Sequence, residues 1–465
     1  MHMKSTLEQF NYLAKQLLLA ESEQPVTPFL SSDELFETVD LDLEKEALGE
    51  EEFMEKLEEV VLRSTRTATP GFFNQLFGGR NPKAVLGDLL AVVLNNSMYT
   101  YKAAGVQIGV EKALVKAVNK EIGWDEQSGG TFGPGGSMTN LMAMIMARDK
   151  ISPEVANTGT NGKLTVYTSS ESHYSIPKNA AFCGIGREQI RFVPSDSRGR
   201  IQAQVLEEMV QGDLKAGYTP ALVNLTAGTT VLGAFDPIEE IASLCERHHI
   251  WLHVDGAYCG SVIFTGRYRH LLSGLEKVDS FSLNAHKMVG TPLSCSMILV
   301  KDERYLFESF SNDASYLYQT DHDAFNPGKT SLQCGRRNDA LKFWTLWKRV
   351  GTNGLEAIID KQFELAYIAR DYIKNHPDYT LYSYPDSISI CFNYKGIPAR
   401  KLCTDLYEQS VLMVGYGQFQ GREFVRMVTV NAQLEKGDIL GFFDKLEQFV
   451  AHSPEMAEVI DQEAN

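Results

Sequence analysis

The chain has 465 residues, 43% hydrophobic and 22% charged, which excludes a disordered or collagen-like polymer and is too long for one simple core. Its 44 Lys+Arg against 60 Asp+Glu leave a net charge of −16, and a pI near 5.2 argues against nucleic-acid binding, which needs a basic face. Seven scattered cysteines without a CxxC pair argue against a disulfide scaffold or a metal site; no signal-like start and no apolar run near the roughly 18 residues of a membrane helix is present, so a cytoplasmic location away from membranes is expected.

Residues 1–60 hold 16 acidic and 4 basic side chains, most of the net charge. Leu41–Leu62 has apolar residues at helical spacing, and Pro25 and Pro28 punctuate the segment, so an acidic amphipathic arm is expected. Val85–Gly123 reads as helical, and Ser128–Met138 as a Gly-rich bend into the apolar Leu141–Ala147. Short β-rich runs follow at Leu164–Thr168, Ile190–Val193, Ala221–Leu225, Ile250–Val254, Ser280–Leu283 and Ser296–Val300, with helical stretches such as Pro237–His248 between them. That alternation predicts an α/β fold with a largely parallel sheet, although the last two runs are close enough to form a hairpin. Beyond Gly351, helical Leu355–Lys374 precedes two strand-like runs, Ser387–Tyr394 and Phe424–Val430. The expected organisation is a helical arm (1–84), a large α/β domain (85–350) and a small α+β domain (351–465).

Three elements carry chemistry. Gly129–Asn140 offers glycines and a Ser before a helix, suited to an anion such as phosphate, but it lacks the Lys-Ser/Thr of a P-loop. His253-Val-Asp255-Gly-Ala257 puts a carboxylate at a buried strand end, where an Asp could equally cap a turn. Ser280-Phe-Ser-Leu-Asn-Ala-His286-Lys287 puts a Lys just past another strand; solvated it would be inert, buried its amine would become a nucleophile. A covalent anchor, an acid for a pyridinium nitrogen and anion donors together suit pyridoxal 5′-phosphate (PLP).

Here the sequence resembles the group II PLP-dependent amino-acid decarboxylases of fold type I, in the branch of the glutamate, cysteine sulfinate and aspartate decarboxylases. Ser280, Phe281, Lys287, Met288, Val289, Leu293, Cys295, Ile298 and Lys301 satisfy that family's signature. Phe72–Gly78, Ser172–Ile176, Thr226–Asp236 and Leu332–Arg337 also look like that branch, and the likeness runs from about residue 70 to 431. The resemblance implies Lys287 as the cofactor's covalent anchor, Asp255 as partner of its ring nitrogen, and His173 and Ala257 on the two ring faces. It implies phosphate contacts from Gly136, Ser137, Asn284 and His286, and a ring contact from Thr226. Tyr316, in the polar stretch Ser311–Gly328 that reads as a mobile loop, matches the position of the acid that protonates Cα. Gln75 and Arg426 match positions holding a distal acid group, so an acidic L-amino acid is the expected substrate and a homodimer the expected assembly. Glutamate, cysteine sulfinate and aspartate stay unseparated, with Phe72–Gly78 leaning toward the last two. A decarboxylase of aromatic or diamino acids, an aminotransferase or lyase on the same fold, and a catalytically silent scaffold remain as rivals. Ala285 stands where the family has Pro, Gly256 and Tyr258 where it has Ala and Trp, and Lys102 where it has Glu.

Overall fold

The computed structural model describes residues 2–160, 162–311, 318, 322–454 and 456. They form two units: one of Met1–Gly79, Tyr367–Tyr382 and Ile390–Asn465, the other of Arg80–Ala366 and Ser383–Ser389.

The larger unit is built on seven strands: β1 (Gly129–Gly133), β2 (Leu164–Ser169), β3 (Ile190–Val193), β4 (Thr219–Thr226), β5 (Trp251–Gly256), β6 (Ser280–Asn284) and β7 (Ser296–Val300). Their order is β1-β7-β6-β5-β4-β2-β3. The run from β3 to β6 is parallel, as the alternating pattern requires, while β7 is antiparallel to both β6 and β1. The last two β-rich runs therefore pair antiparallel, Ser280 opposite Val300 and Asn284 opposite Ser296. β2, β5, β6 and β7 are buried throughout, so the polar side chains they carry lie in the interior.

The Gly-rich segment departs from expectation. Gly129–Gly133 is a strand rather than part of a bend, paired to β7. Its glycines are what let it lie there: a Cβ on Gly130 would come within 2.7 Å of the Ile298 carbonyl oxygen. With glycine at three of its five positions, the segment gives no period-2 signal. Val85–Gly123 likewise divides into helices Pro82–Leu94, Tyr101–Ala104 and Val106–Ile122, the first ended by Asn95 in the left-handed region (φ 44°). The helix Ala340–Lys374 extends the expected Leu355–Lys374 backward across a kink at Gly351.

In the other unit, helix His2–Glu23 packs with Glu50–Arg63, linked by Tyr12 Oη to Glu58 at 3.0 Å. The second helix is shorter than the helical spacing over Leu41–Leu62 suggests. The second sheet holds β8 (Tyr379–Leu381), β9 (Ser389–Tyr394), β10 (Gly415–Phe419) and β11 (Arg422–Val428), ordered β10-β11-β9-β8. β8 and β10 escaped the sequence reading, one being three residues long and the other interrupted by Gly415 and Gly417.

Candidate active site

The parallel register sets Thr226 of β4 beside Asp255 of β5, and Asp255 beside Ser282 of β6, at the carboxyl ends where such sheets bind ligands. A cavity of about 200 Å3 opens there. Gly136, Ser137, His173, Thr226, Asp255, Ala257, Asn284, His286 and Lys287 all line it, joined by Asn140, Tyr174, Gly228, Thr230 and Tyr258, to which the sequence analysis gave no role. Asn140 lay inside the Gly-rich element already singled out, and Tyr174 beside His173.

One wall is the start of helix Gly136–Ile151, entered from β1 through Gly135 at φ 123°, where L-residues are strained. A Cβ on Gly136 would sit 2.9 Å from Asn284 Nδ2 and 3.1 Å from Ala257 Cβ, so the backbone comes bare to the cavity. The first turn's N–H groups suit an anion. Thr226 Oγ1 and Asn284 Oδ1 are buried with no hydrogen-bond partner among the described residues, as polar atoms left for a ligand would be. Bare glycine, a helix start, orphaned polar atoms and a nucleophilic amine fit the expected PLP.

Asp255 is buried, accepting hydrogen bonds from Asn140 Nδ2 at 2.7 Å and from its neighbour Ala257 N at 3.0 Å. Lys287 keeps some surface, all the same enclosed by protein, and burial lowers its pKa against the pull of Asp255 and Cys259. An amine in that state is partly deprotonated and nucleophilic. Burial also lowers His173, whose Nδ1 lies 3.2 Å from the Ser175 N–H that donates to it and 2.8 Å from the Ser175 hydroxyl. His286 is pushed down to about 4 by burial, with its Nδ1 taking the Cys295 N–H at 3.0 Å. A neutral ring with Nδ1 so occupied carries its proton on Nε2. Behind the cavity, the Asp236 carboxyl accepts from Thr226 N at 2.8 Å and Ile201 N at 2.7 Å, and burial raises it to about 7.

The departures find local reasons. A Cβ on Gly256 would come within 2.3 Å of the Phe281 ring, so that ring fills the space. Tyr258 spans to the Ser389 hydroxyl at 2.9 Å. Ala285 keeps a backbone N–H that donates to Cys295 O at 2.9 Å, a bond a Pro could not make. Lys102 is exposed on the short helix Tyr101–Ala104.

Gln75 and Arg426 lie in the other unit, brought together because Arg426 Nη2 donates to the Asn74 carbonyl at 2.7 Å. Gln75 is exposed and Arg426 half-buried on β11. Tyr316 lies outside the described residues.

The pyridoxal-dependent decarboxylase conserved domain matches the chain over residues 33–395. The acidic amino acid decarboxylase GADL1 of Bos taurus is 36% identical over 455 residues, 93% of this chain and 87% of that relative. The cysteine sulfinic acid decarboxylase of Mus musculus is 36% identical over 450 residues, 92% and 91% of the two chains. The crystal structure of mouse CSAD matches with a TM-score of 0.90 at 34% identity, covering 96% of this chain and 98% of that one. In fold alone the likeness extends to Oryza sativa TDC, solved with PLP and tryptamine, at TM-score 0.88 and 24% identity over 96% and 97% of the chains. A strand-end cavity built around an unpaired lysine and a doubly bonded aspartate, in a chain that matches this domain over most of its length, makes this protein a member of the pyridoxal-dependent decarboxylase family.

Proposed function

We propose that the protein removes the α-carboxyl group of an acidic L-amino acid, one of glutamate, cysteine sulfinate and aspartate, to give the amine and CO2. The observation that carries the reading is the cavity itself, where an amine lowered by burial faces a buried carboxylate held by two N–H donors. The names of the relatives, acidic amino acid decarboxylase and cysteine sulfinic acid decarboxylase, support the substrate class.

Bound PLP supplies a sink for the electron pair left when CO2 departs. Lys287 anchors it, and its depressed pKa keeps the free amine available to take a proton during exchange with substrate. Asp255 would meet the ring nitrogen, with His173 and Ala257 at the two ring faces. Gly136, Ser137, Asn284 and the Nε2–H of His286 hold the phosphate, and Thr226 Oγ1 the ring substituents. Tyr316 delivers the proton to Cα, general-acid work that typically contributes about 10²–10⁴-fold. Arg426 and Gln75 read the distal acid, for which a planar two-pronged donor is suited.

The assembly proposed is a homodimer. Its support is helix Pro82–Leu94, which leaves Leu86, Leu90, Val92, Val93 and Leu94 each about half exposed, an apolar face too large for water alone. Sedimentation should give a dimer, and Leu90→Glu with Val93→Glu should yield monomers. Among the described residues no helix is long and apolar enough to cross a membrane, and a cytoplasmic location remains the proposal.

The test of the reaction is CO2 release from L-glutamate, L-aspartate, L-cysteine sulfinate, L-cysteate, L-2,4-diaminobutyrate and L-DOPA. Release from one or more of the first four, with the matching amine, is expected. Release confined to the last two, or transamination without CO2, would refute the proposal.

A further inference from the structure

We propose that His253 and Asn140 are positioning residues for the reaction: with Ser280 and Trp251 they form a one-way hydrogen-bond chain that orients the Asp255 side chain. The inference rests on the reading that Asp255 meets the cofactor's ring nitrogen.

The chain is dictated by strand geometry. Trp251, His253 and Asp255 alternate along β5 and so share one face; Ser280 and Ser282 lie beside His253 and Asp255 on β6. Asn140 comes down on that face from helix Gly136–Ile151. Trp251, Ser280 and His253 are fully buried and Asn140 nearly so, which keeps bulk water from each polar atom.

Donor chemistry then fixes every direction. An indole N–H can only donate, so the 2.8 Å contact from Trp251 Nε1 makes the Ser280 oxygen an acceptor. The Ser280 hydroxyl hydrogen is left for His253 Nδ1, 2.9 Å away. Burial drives the His253 pKa down to about 4, against the opposing pull of Asp255 and of the Ser280 backbone. The ring is therefore neutral, and with Nδ1 accepting, its one hydrogen sits on Nε2 and points to Asn140 Oδ1 at 3.1 Å. Ser282 Oγ lies 3.0 Å from the same oxygen and shares its one hydrogen between it and Thr139 Oγ1 at 2.9 Å. With the His253 N–H on its oxygen, the Asn140 amide turns Nδ2 toward Asp255 Oδ2 at 2.7 Å. Reversing the chain would strand the Ser280 hydrogen and set an amide oxygen against a carboxylate oxygen in a dry interior, where an unmade or repulsive polar contact is costly.

The chain ends where the proposed chemistry begins. With Asn140 on one oxygen and Ala257 N on the other, Asp255 receives two N–H donors that fix the plane of its carboxyl group. The alternation Trp-x-His-x-Asp on one strand and Ser-x-Ser on the next is its sequence mark.

The test uses the PLP-loaded enzyme and reads the pH midpoint of the bound cofactor's visible band, the PLP dissociation constant, and kcat separately from KM. Asp255→Asn is the reference. Ser280→Ala, one oxygen removed, and His253→Leu should move the midpoint in the same direction as Asp255→Asn, weaken PLP about tenfold and lower kcat at unchanged KM. His253→Gln keeps an N–H for Asn140 and should recover most of the loss. Ser296→Ala, removing another buried hydroxyl on β7 that has no partner, should leave the midpoint alone. A moved midpoint in Asp255→Asn with unmoved values in Ser280→Ala and His253→Leu, even at lowered melting temperature, overturns the chain. An unmoved midpoint in Asp255→Asn itself overturns the Asp255 reading, and the inference with it.

Discussion

Two lysines in the large unit illustrate opposite uses of a buried amine. Lys342 is fully buried and paired: its Nζ lies 3.0 Å from Asp88 and 3.0 Å from Asp339, and donates to the Ser294 carbonyl at 3.0 Å. It thereby braces the strand-to-strand loop that follows Lys287. Lys287, a few residues before that loop's end, makes no side-chain hydrogen bond among the described residues, and burial lowers its pKa. A paired amine is spent on structure; one that burial alone acts on is left reactive. The difference lies in what the fold brings to each, since nothing in the residue type distinguishes them.

The largest effect should come from Lys287→Ala. Borohydride should fix PLP to Lys287 in the parent, and the variant should lose both that adduct and CO2 release; an adduct at another lysine would break the distinction. Lys342→Leu should act on folding instead. It leaves Asp88 and Asp339 without their buried cation and should cost about 3–5 kcal/mol in urea denaturation, with Arg337, 2.7 Å from Asp88, limiting the loss. Its borohydride adduct at Lys287 should persist.

The imidazoles near Lys287 sharpen the contrast further. His253 and His286 fall from about 6.5 unfolded to about 4 folded, because burial favours their neutral forms. Their contribution to stability is present above pH 6.5 and is lost as the pH falls through 4. Each ring accounts for up to about 3 kcal/mol of that decline, so His253→Gln or His286→Asn should flatten the stability profile between pH 6.5 and 4. An unchanged slope would mean that these rings are not buried neutral. The smallest effect expected is at a lysine newly introduced. Arg426→Lys keeps a charge but loses the planar fork, and should cost about 1.5–3 kcal/mol, or roughly 10–150-fold in kcat/KM, on acidic substrates alone. An equal loss on neutral amino acids with a lower melting temperature would make Arg426 a brace for Asn74 rather than a substrate contact.

Much was legible in the chain itself. Apolar runs at strand length located β2 to β7, and the position of Asp255 and Lys287 at strand ends marked the site, because period and punctuation are local properties of a sequence. The likeness to a known family added His173, Thr226 and Asn284, which no local pattern singles out. Other features needed the folded chain. Gly129–Gly133 became a strand beside β7, where a Cβ at Gly130 would meet the Ile298 carbonyl oxygen, a contact that only the folded chain makes. Asn140, in the helix Gly136–Ile151 that follows the glycines, gained its meaning from Asp255, 115 residues later. Asn74 and Arg426 meet across 352 residues, and helix Pro82–Leu94 keeps an apolar face exposed where Gly136–Ile151 buries most of its own. The sequence by itself determined strands β2 to β7 and the reactive groups at their ends, since each depends on neighbours within a few residues. Which polar atoms are paired, which amine is left unpaired and which apolar face stays open were decided by tertiary structure alone, because these depend on contacts between distant residues that leave no period in the chain.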